Sequence, residues 1–143
     1  MTIPNSVTNI GNDAFESCTS LNGVYFKGNA LSVGSPAFFY DTNTTIYYLP
    51  GTTGWGAVLG SRPTVLWNPQ VQTGDATFGV RTNRFGFNIA GASNLVIVVE
   101  ACSNLANPIW SPVRTNTLTG GSSYFSDPQW TNYPDRFYRL RSP

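Results

Sequence analysis

Thr2-Ile3-Pro4-Asn5-Ser6-Val7, Ile10-Gly11-Asn12-Asp13-Ala14-Phe15, Cys18-Thr19-Ser20-Leu21 and Val24-Tyr25-Phe26 follow one another with two residues between each group. Much of this run returns in a second, degraded copy. Asn29-Ala30-Leu31-Ser32-Val33-Gly34 answers Ser6-Val7-Thr8-Asn9-Ile10-Gly11. Pro36-Ala37-Phe38 answers Asp13-Ala14-Phe15, and Ile46-Tyr47-Tyr48 answers Val24-Tyr25-Phe26. Val65-Leu66-Trp67 is a third strand candidate. Ile3, Phe26, Tyr48 and Trp67 lie 23, 22 and 19 residues apart, near the period of roughly 20–29 residues at which solenoid coils repeat. Each unit should carry one short strand, a turn, and a helical turn around Ala14-Phe15. Ile3, Val7, Ile10, Phe15, Leu21, Val24 and Phe26 then point inward and stack on the next coil, because no coil buries such a set alone.

Residues 2–26 closely resemble the BspA-type leucine-rich repeat, whose units read much like Thr-Ile-Pro-Asn-Ser-Val, Ile-Gly, Ala-Phe and Cys-Thr-Ser-Leu in that order. The second copy departs from the pattern: Asp41 stands at the cysteine position and Thr44 at the leucine. It reads as a final repeat before a C-terminal cap, with Trp55 of the turn-rich Pro50–Gly56 stretch plugging the end of the stack. The resemblance makes Cys18 a core position. It therefore implies a free buried thiol rather than a disulfide to Cys102, the second of the two cysteines, which would otherwise tie the two halves together.

Asn68-Pro69-Gln70 marks a boundary, since proline stops strand pairing. Beyond it the pattern changes to short strands punctuated by turns. Candidates are Ala76 to Val80, Arg84 to Ile89, Leu95 to Ala101, Trp110 to Arg114, Ser122 to Phe125 and Phe137 to Arg141. Leu95 to Ala101 is the most apolar and reads as a central strand buried on both faces. Residues 75–143, through Gly121–Trp130 and Phe137-Tyr138-Arg139-Leu140, resemble a C-terminal β-module of large extracellular bacterial proteins. That module has no settled activity to carry over. The expected fold is mainly β: a leucine-rich-repeat solenoid segment with its cap over residues 1–69, then a small antiparallel β-sandwich over residues 70–143.

Charged residues make up 10% of the chain and the formal charge is +1. So small a charge gives no electrostatic case for nucleic acid, and no apolar run approaches the roughly 18 residues that span a bilayer. No leader-like stretch follows Met1, so a signal sequence is expected outside this chain. There is no histidine, which removes serine and cysteine triads and histidine-ligated zinc. Asp13 and Glu16 read as acids at the start of a helical turn, Asp127-Pro128 as turn chemistry. Asp41-Thr42-Asn43 resembles the opening of a calcium loop but lacks its glycine and distal glutamate. No cofactor and no metal are expected.

What remains is surface. If Val24, Phe26, Ile46 and Tyr48 face inward, strand alternation turns Tyr25, Lys27, Tyr47 and Leu49 outward. Tyr25 and Tyr47 then form a ladder suited to a protein or polysaccharide partner, against the plainer reading of strand-favouring aromatics half covered by neighbours. Arg136, Arg139 and Arg141 read as charges on a solvated edge strand. The repeat begins partway into a unit, which leaves Ile3, Val7, Ile10 and Phe15 without a cap and suggests an end-to-end homodimer. The chain is thus expected to be a non-catalytic interaction or adhesion module of a secreted or surface-displayed bacterial protein. The alternatives are a structural C-terminal cap or anchoring tail without a ligand and, third, a hydrolase working without histidine.

Overall fold

A computed structural model describes all 143 residues. The chain is mainly β, with several sheets and no α-helix, and divides into two compact units, Met1–Asn68 and Pro69–Pro143.

The first unit holds β1 (Thr2–Ile3), β2 (Asn9–Ile10), β3 (Gly23–Phe26), β4 (Ser32–Val33), β5 (Thr45–Tyr48), β6 (Val58–Leu59) and β7 (Arg62–Leu66). Its main sheet runs β1-β3-β5-β7-β6, and every contact from β1 to β7 is parallel. Thr2 pairs with Tyr25, Tyr25 with Tyr47 and Tyr47 with Val65, so a column of side chains advances one coil per strand. The column ends one residue earlier than expected, because Tyr48 pairs with Leu66 rather than Trp67. On the other flanks β2 pairs with β4, and Phe15 N–H and Ser17 N–H donate to the carbonyls of Ala37 and Phe39 at 2.8 Å. The coils are thereby stitched together on more than one side, which satisfies backbone groups that short strands would leave bare.

The expected helical turn around Ala14-Phe15 does not form. Consecutive tight turns take its place, with Asp13 (φ 55°) and Ser17 (φ 59°) in the left-handed region. Glu16 N–H, Cys18 N–H and Leu21 N–H donate to the carbonyls of Asp13, Phe15 and Cys18. The same three bonds recur 23 residues on, from Phe39, Asp41 and Thr44 to Pro36, Phe38 and Asp41. Left-handed residues interrupt a helix, so Asp13 and Glu16 have no helix dipole to complement. Ile3, Ile10, Val24, Phe26, Ala37, Phe38 and Ile46 form the buried cluster, with Val7, Phe15, Leu21 and Trp55 packed against it. Each fully buried large side chain there contributes roughly 1.5–3 kcal/mol. Trp55 stacks on Tyr48 at 5.0 Å and meets Phe26 edge-on at 5.1 Å. It thus bridges rings of two neighbouring strands, β3 and β5.

The second unit contains β8 (Gln70–Gln72), β9 (Gly79–Arg81), β10 (Arg84–Ala90), β11 (Val96–Cys102), β12 (Ser111–Thr117), β13 (Ser122–Asp127) and β14 (Phe137–Arg141). All of its pairings are antiparallel. One sheet runs β13-β10-β8, with β9 also on β10; the other runs β12-β11-β14. Thr82 and Asn83, both at positive φ, form the two-residue link of the β9–β10 hairpin, as the twist of paired strands favours. β11 is buried along nearly its whole length. Tyr138 of β14 contacts the rings of Phe85, Phe87 and Phe125 from the other sheet.

Candidate functional site

The strand face of the first unit does not present an open aromatic surface. Tyr25 and Tyr47 do form a ladder, with ring centroids 4.9 Å apart and planes within 16°. Yet they are only 6% and 5% exposed, because the rings lie flat over Gly23 and over each other. Burial pushes the Tyr47 phenol above its ordinary value, against a smaller opposing effect from its bond with Thr45. Lys27 and Leu49 are half-buried, and Lys27 lines a separate open groove with Asn5, Thr8 and Asn29. The four residues expected to bind together are therefore not gathered into one site. Strand alternation predicted which way the tyrosines turn but not that they would cover each other.

The set expected to lack a cap is also less open than expected. Ile3 and Ile10 are buried within the single chain, Val7 is half-buried, and Phe15 is half-buried and stacked on Phe38 at 5.0 Å. Cys18, by contrast, is a free thiol that is exposed, not buried; Cys102 is free and buried. Its counterpart one coil on, Asp41, is 1% exposed, so the position is a core position only where a neighbouring coil covers it.

The first unit departs from its own repeat most clearly at that turn. Glu16-Ser17-Cys18 becomes Phe39-Tyr40-Asp41. Two exposed polar residues become aromatic, and the position that turns inward becomes acidic. Phe39 and Tyr40 remain 44% and 62% exposed, with centroids 4.0 Å apart. Tyr40 occupies the left-handed region (φ 66°) that Ser17 occupies in the first coil, a conformation costing a bulky residue about 1–3 kcal/mol. Both carboxylate oxygens of Asp41 are buried without a partner, and so is Nε of Arg62. Arg62 Nη1 donates to the Asp41 main-chain carbonyl at 3.0 Å.

Phe39, Tyr40 and Arg62 border a cleft of about 470 Å³ between the Gly34–Thr42 turn and the Gly60-Ser61 link of the β6–β7 hairpin. Gly60 (φ 55°) has to be glycine there, since a Cβ would stand 2.8 Å from the Phe38 ring. The second copy departs from the first at Asp41 and also at the two aromatics before it. Aligning Glu16-Ser17 with Phe39-Tyr40 is the signal that would have found them.

In the second unit the acids and arginines neutralise one another. Glu100, buried, accepts from Arg139 Nε at 2.8 Å and Arg141 Nε at 2.7 Å. Burial alone would raise its carboxyl. The bonds and charges of Arg141 and Arg139 outweigh that and hold it below its usual value. Asp127 carries the expected turn bond, accepting from Gln129 N–H at 2.8 Å, and is also a buried anchor that accepts from Arg136 Nε at 2.6 Å and the Tyr138 hydroxyl at 3.0 Å. Burial first, and the Asp127 charge next, push the Tyr138 phenol up to about 12. Arg136, Arg139 and Arg141 are thus engaged by carboxylates rather than simply solvated. No group of three or more Cys, Asp or Glu side chains is placed to hold a metal ion.

Residues 1–54 match the family model described as the BspA type leucine rich repeat region (6 copies). This stretch is a BspA-type leucine-rich-repeat segment. The BspA-type match stops before β6, so the β6–β7 hairpin and the whole second unit lie outside it. No curated protein and no solved structure matches the chain.

Proposed function

We propose that this chain is a non-catalytic interaction module of a secreted or surface-displayed bacterial protein. In this reading the BspA-type repeats form a short solenoid segment, and the two facing sheets of the second unit a small sandwich that serves as its cap or spacer. One observation carries the proposal: the second coil keeps the three turn hydrogen bonds and the left-handed middle residue of the first while Phe39-Tyr40-Asp41 replaces Glu16-Ser17-Cys18. A turn kept only for folding gains nothing from two exposed rings and a buried unpaired carboxylate. The buried Tyr25–Tyr47 ladder makes the strand face scaffold rather than contact surface. Supporting a non-catalytic role, Glu100 and Asp127 are saturated by arginine and tyrosine partners.

The structural alternative, a cap or tail with no ligand, is favoured by the burial of that ladder and opposed by the exposed aromatic pair. Biolayer interferometry of the chain against polysaccharides and extracellular-matrix proteins separates the two. Saturable binding to at least one is expected; binding to none, at concentrations up to millimolar, sinks the interaction reading.

A further inference from the structure

We infer that the cleft beside Phe39, Tyr40 and Arg62 is a binding site for a neutral oligosaccharide. The inference rests on the interaction-module reading and names its site and ligand class. At about 470 Å³ the cleft has the size of a small-molecule site rather than a protein interface. Its rim carries two adjacent exposed rings, and the face of an aromatic ring is negative and accepts the polarised C–H groups of a pyranose. Its walls carry hydrogen-bonding groups, the Thr42 and Ser61 side chains and the Arg62 guanidinium. Sugar hydroxyls suit such walls because each one both donates and accepts.

The charges select a neutral sugar. Arg62 is the one basic side chain lining the cleft, it already donates to the Asp41 carbonyl, and the Asp41 carboxylate is buried between two residues that line the cleft. With one basic side chain in its lining and one carboxylate buried beside it, the cleft carries no net formal charge to recruit a uronic acid or a sulfated chain. The strain at Tyr40 fits the same role: its ring is held out by a backbone conformation that favours smaller residues, in a turn where the first coil carries serine.

The first coil supplies the test, because it folds the same turn with other residues. Phe39→Glu and Tyr40→Ser make the second turn like the first, so each variant should melt no lower than the parent chain. Calorimetric titration of the whole chain with cellohexaose, mannohexaose, chitohexaose, hexagalacturonate and soluble collagen reads the ligand class. Binding of at least one neutral hexasaccharide is expected, weakened at least tenfold by either substitution. Neutral-sugar binding that survives both substitutions overturns the site and leaves the module reading standing. Binding of hexagalacturonate or collagen alone overturns the ligand class and again leaves the module standing. Binding of none of the five overturns both.

Discussion

The two units hold their chains in opposite ways. In the first, β1, β3, β5 and β7 pair in parallel with partners one coil away, and the turns repeat the same backbone bonds 23 residues on. None of its carboxylates forms an ion pair. In the second, every pairing is antiparallel, β10–β13 and β11–β14 join strands distant in sequence, and the Arg136, Arg139 and Arg141 salt bridges fasten β14 and the segment before it. A repeated coil satisfies its polar groups through the backbone, so an acid placed inside it finds no partner, as Asp41 does not. A sheet built from distant strands can bring an acid and a base together at one buried point.

The largest predicted effect breaks the second arrangement. Asp127→Ala leaves the nearly buried Arg136 guanidinium and the Tyr138 hydroxyl without their acceptor. Losing one partner of a buried pair costs about 3–5 kcal/mol, read as a drop in urea-unfolding free energy. A loss under about 1 kcal/mol means that solvent replaces the carboxylate and that the pair is not structural. The same operation in the first unit should have the opposite sign. Asp41→Cys restores the residue of the first coil and removes a buried carboxylate whose two oxygens have no partner. A gain of about 1–3 kcal/mol is expected; destabilisation would show that the carboxylate is satisfied in solution.

The pH limits follow from the same contrast. Glu100 has a folded-state carboxyl held below its usual value by Arg141 and Arg139 against the opposing effect of burial. Its contribution is complete above the ordinary glutamate value of 4.5 and is lost as pH falls through the lower folded value. Glu100→Gln should flatten that acid limb of the stability curve. At the other end, Tyr138 ionises near 12 when folded and near 10.0 when unfolded. Its stabilising share is complete below the unfolded value and lost as pH rises through the folded one. Phenolate absorbance should show a late-titrating tyrosine that Tyr138→Phe removes; an unchanged titration curve would contradict the Asp127–Tyr138 contact.

Repetition also sets what was legible in the sequence. The parallel strands around Val24, Ile46 and Val65 could be read because a fixed period reports which residues stack. β14 and the doubly buried β11 could be read from alternation and apolar content alone. The Glu100–Arg139–Arg141 and Asp127–Arg136 contacts could not, since partners up to 41 residues apart leave no local pattern. Asp127 precedes a proline and looks like any turn aspartate. Helical turns were expected where left-handed residues form tight turns, because apolar spacing alone does not encode the sign of φ at Asp13 or Ser17. The strand-face site was misplaced for a related reason. Alternation gives the direction of Tyr25 and Tyr47, but exposure depends on the glycine at position 23 that lets the rings lie down.

The two cysteines bring the comparison to its finest scale. Cys18 lies on the exposed turn of the first coil, and Cys102 at the buried end of β11, where it pairs with Phe137. A thiol must reach solvent to react. A maleimide reagent without denaturant should therefore add one label promptly, at Cys18, and a second only on unfolding. Serine at position 18 trades one exposed polar group for another and should change stability by less than about 0.5 kcal/mol. Serine at position 102 buries a hydroxyl in an apolar strand and should cost about 1–3 kcal/mol. Were Cys18 also silent until unfolding, the first coil would be covered in solution, and the end-to-end contact would be supported. Prompt labelling that leaves the hydrodynamic radius unchanged across a concentration series would confirm that the Cys18 turn is uncovered in solution.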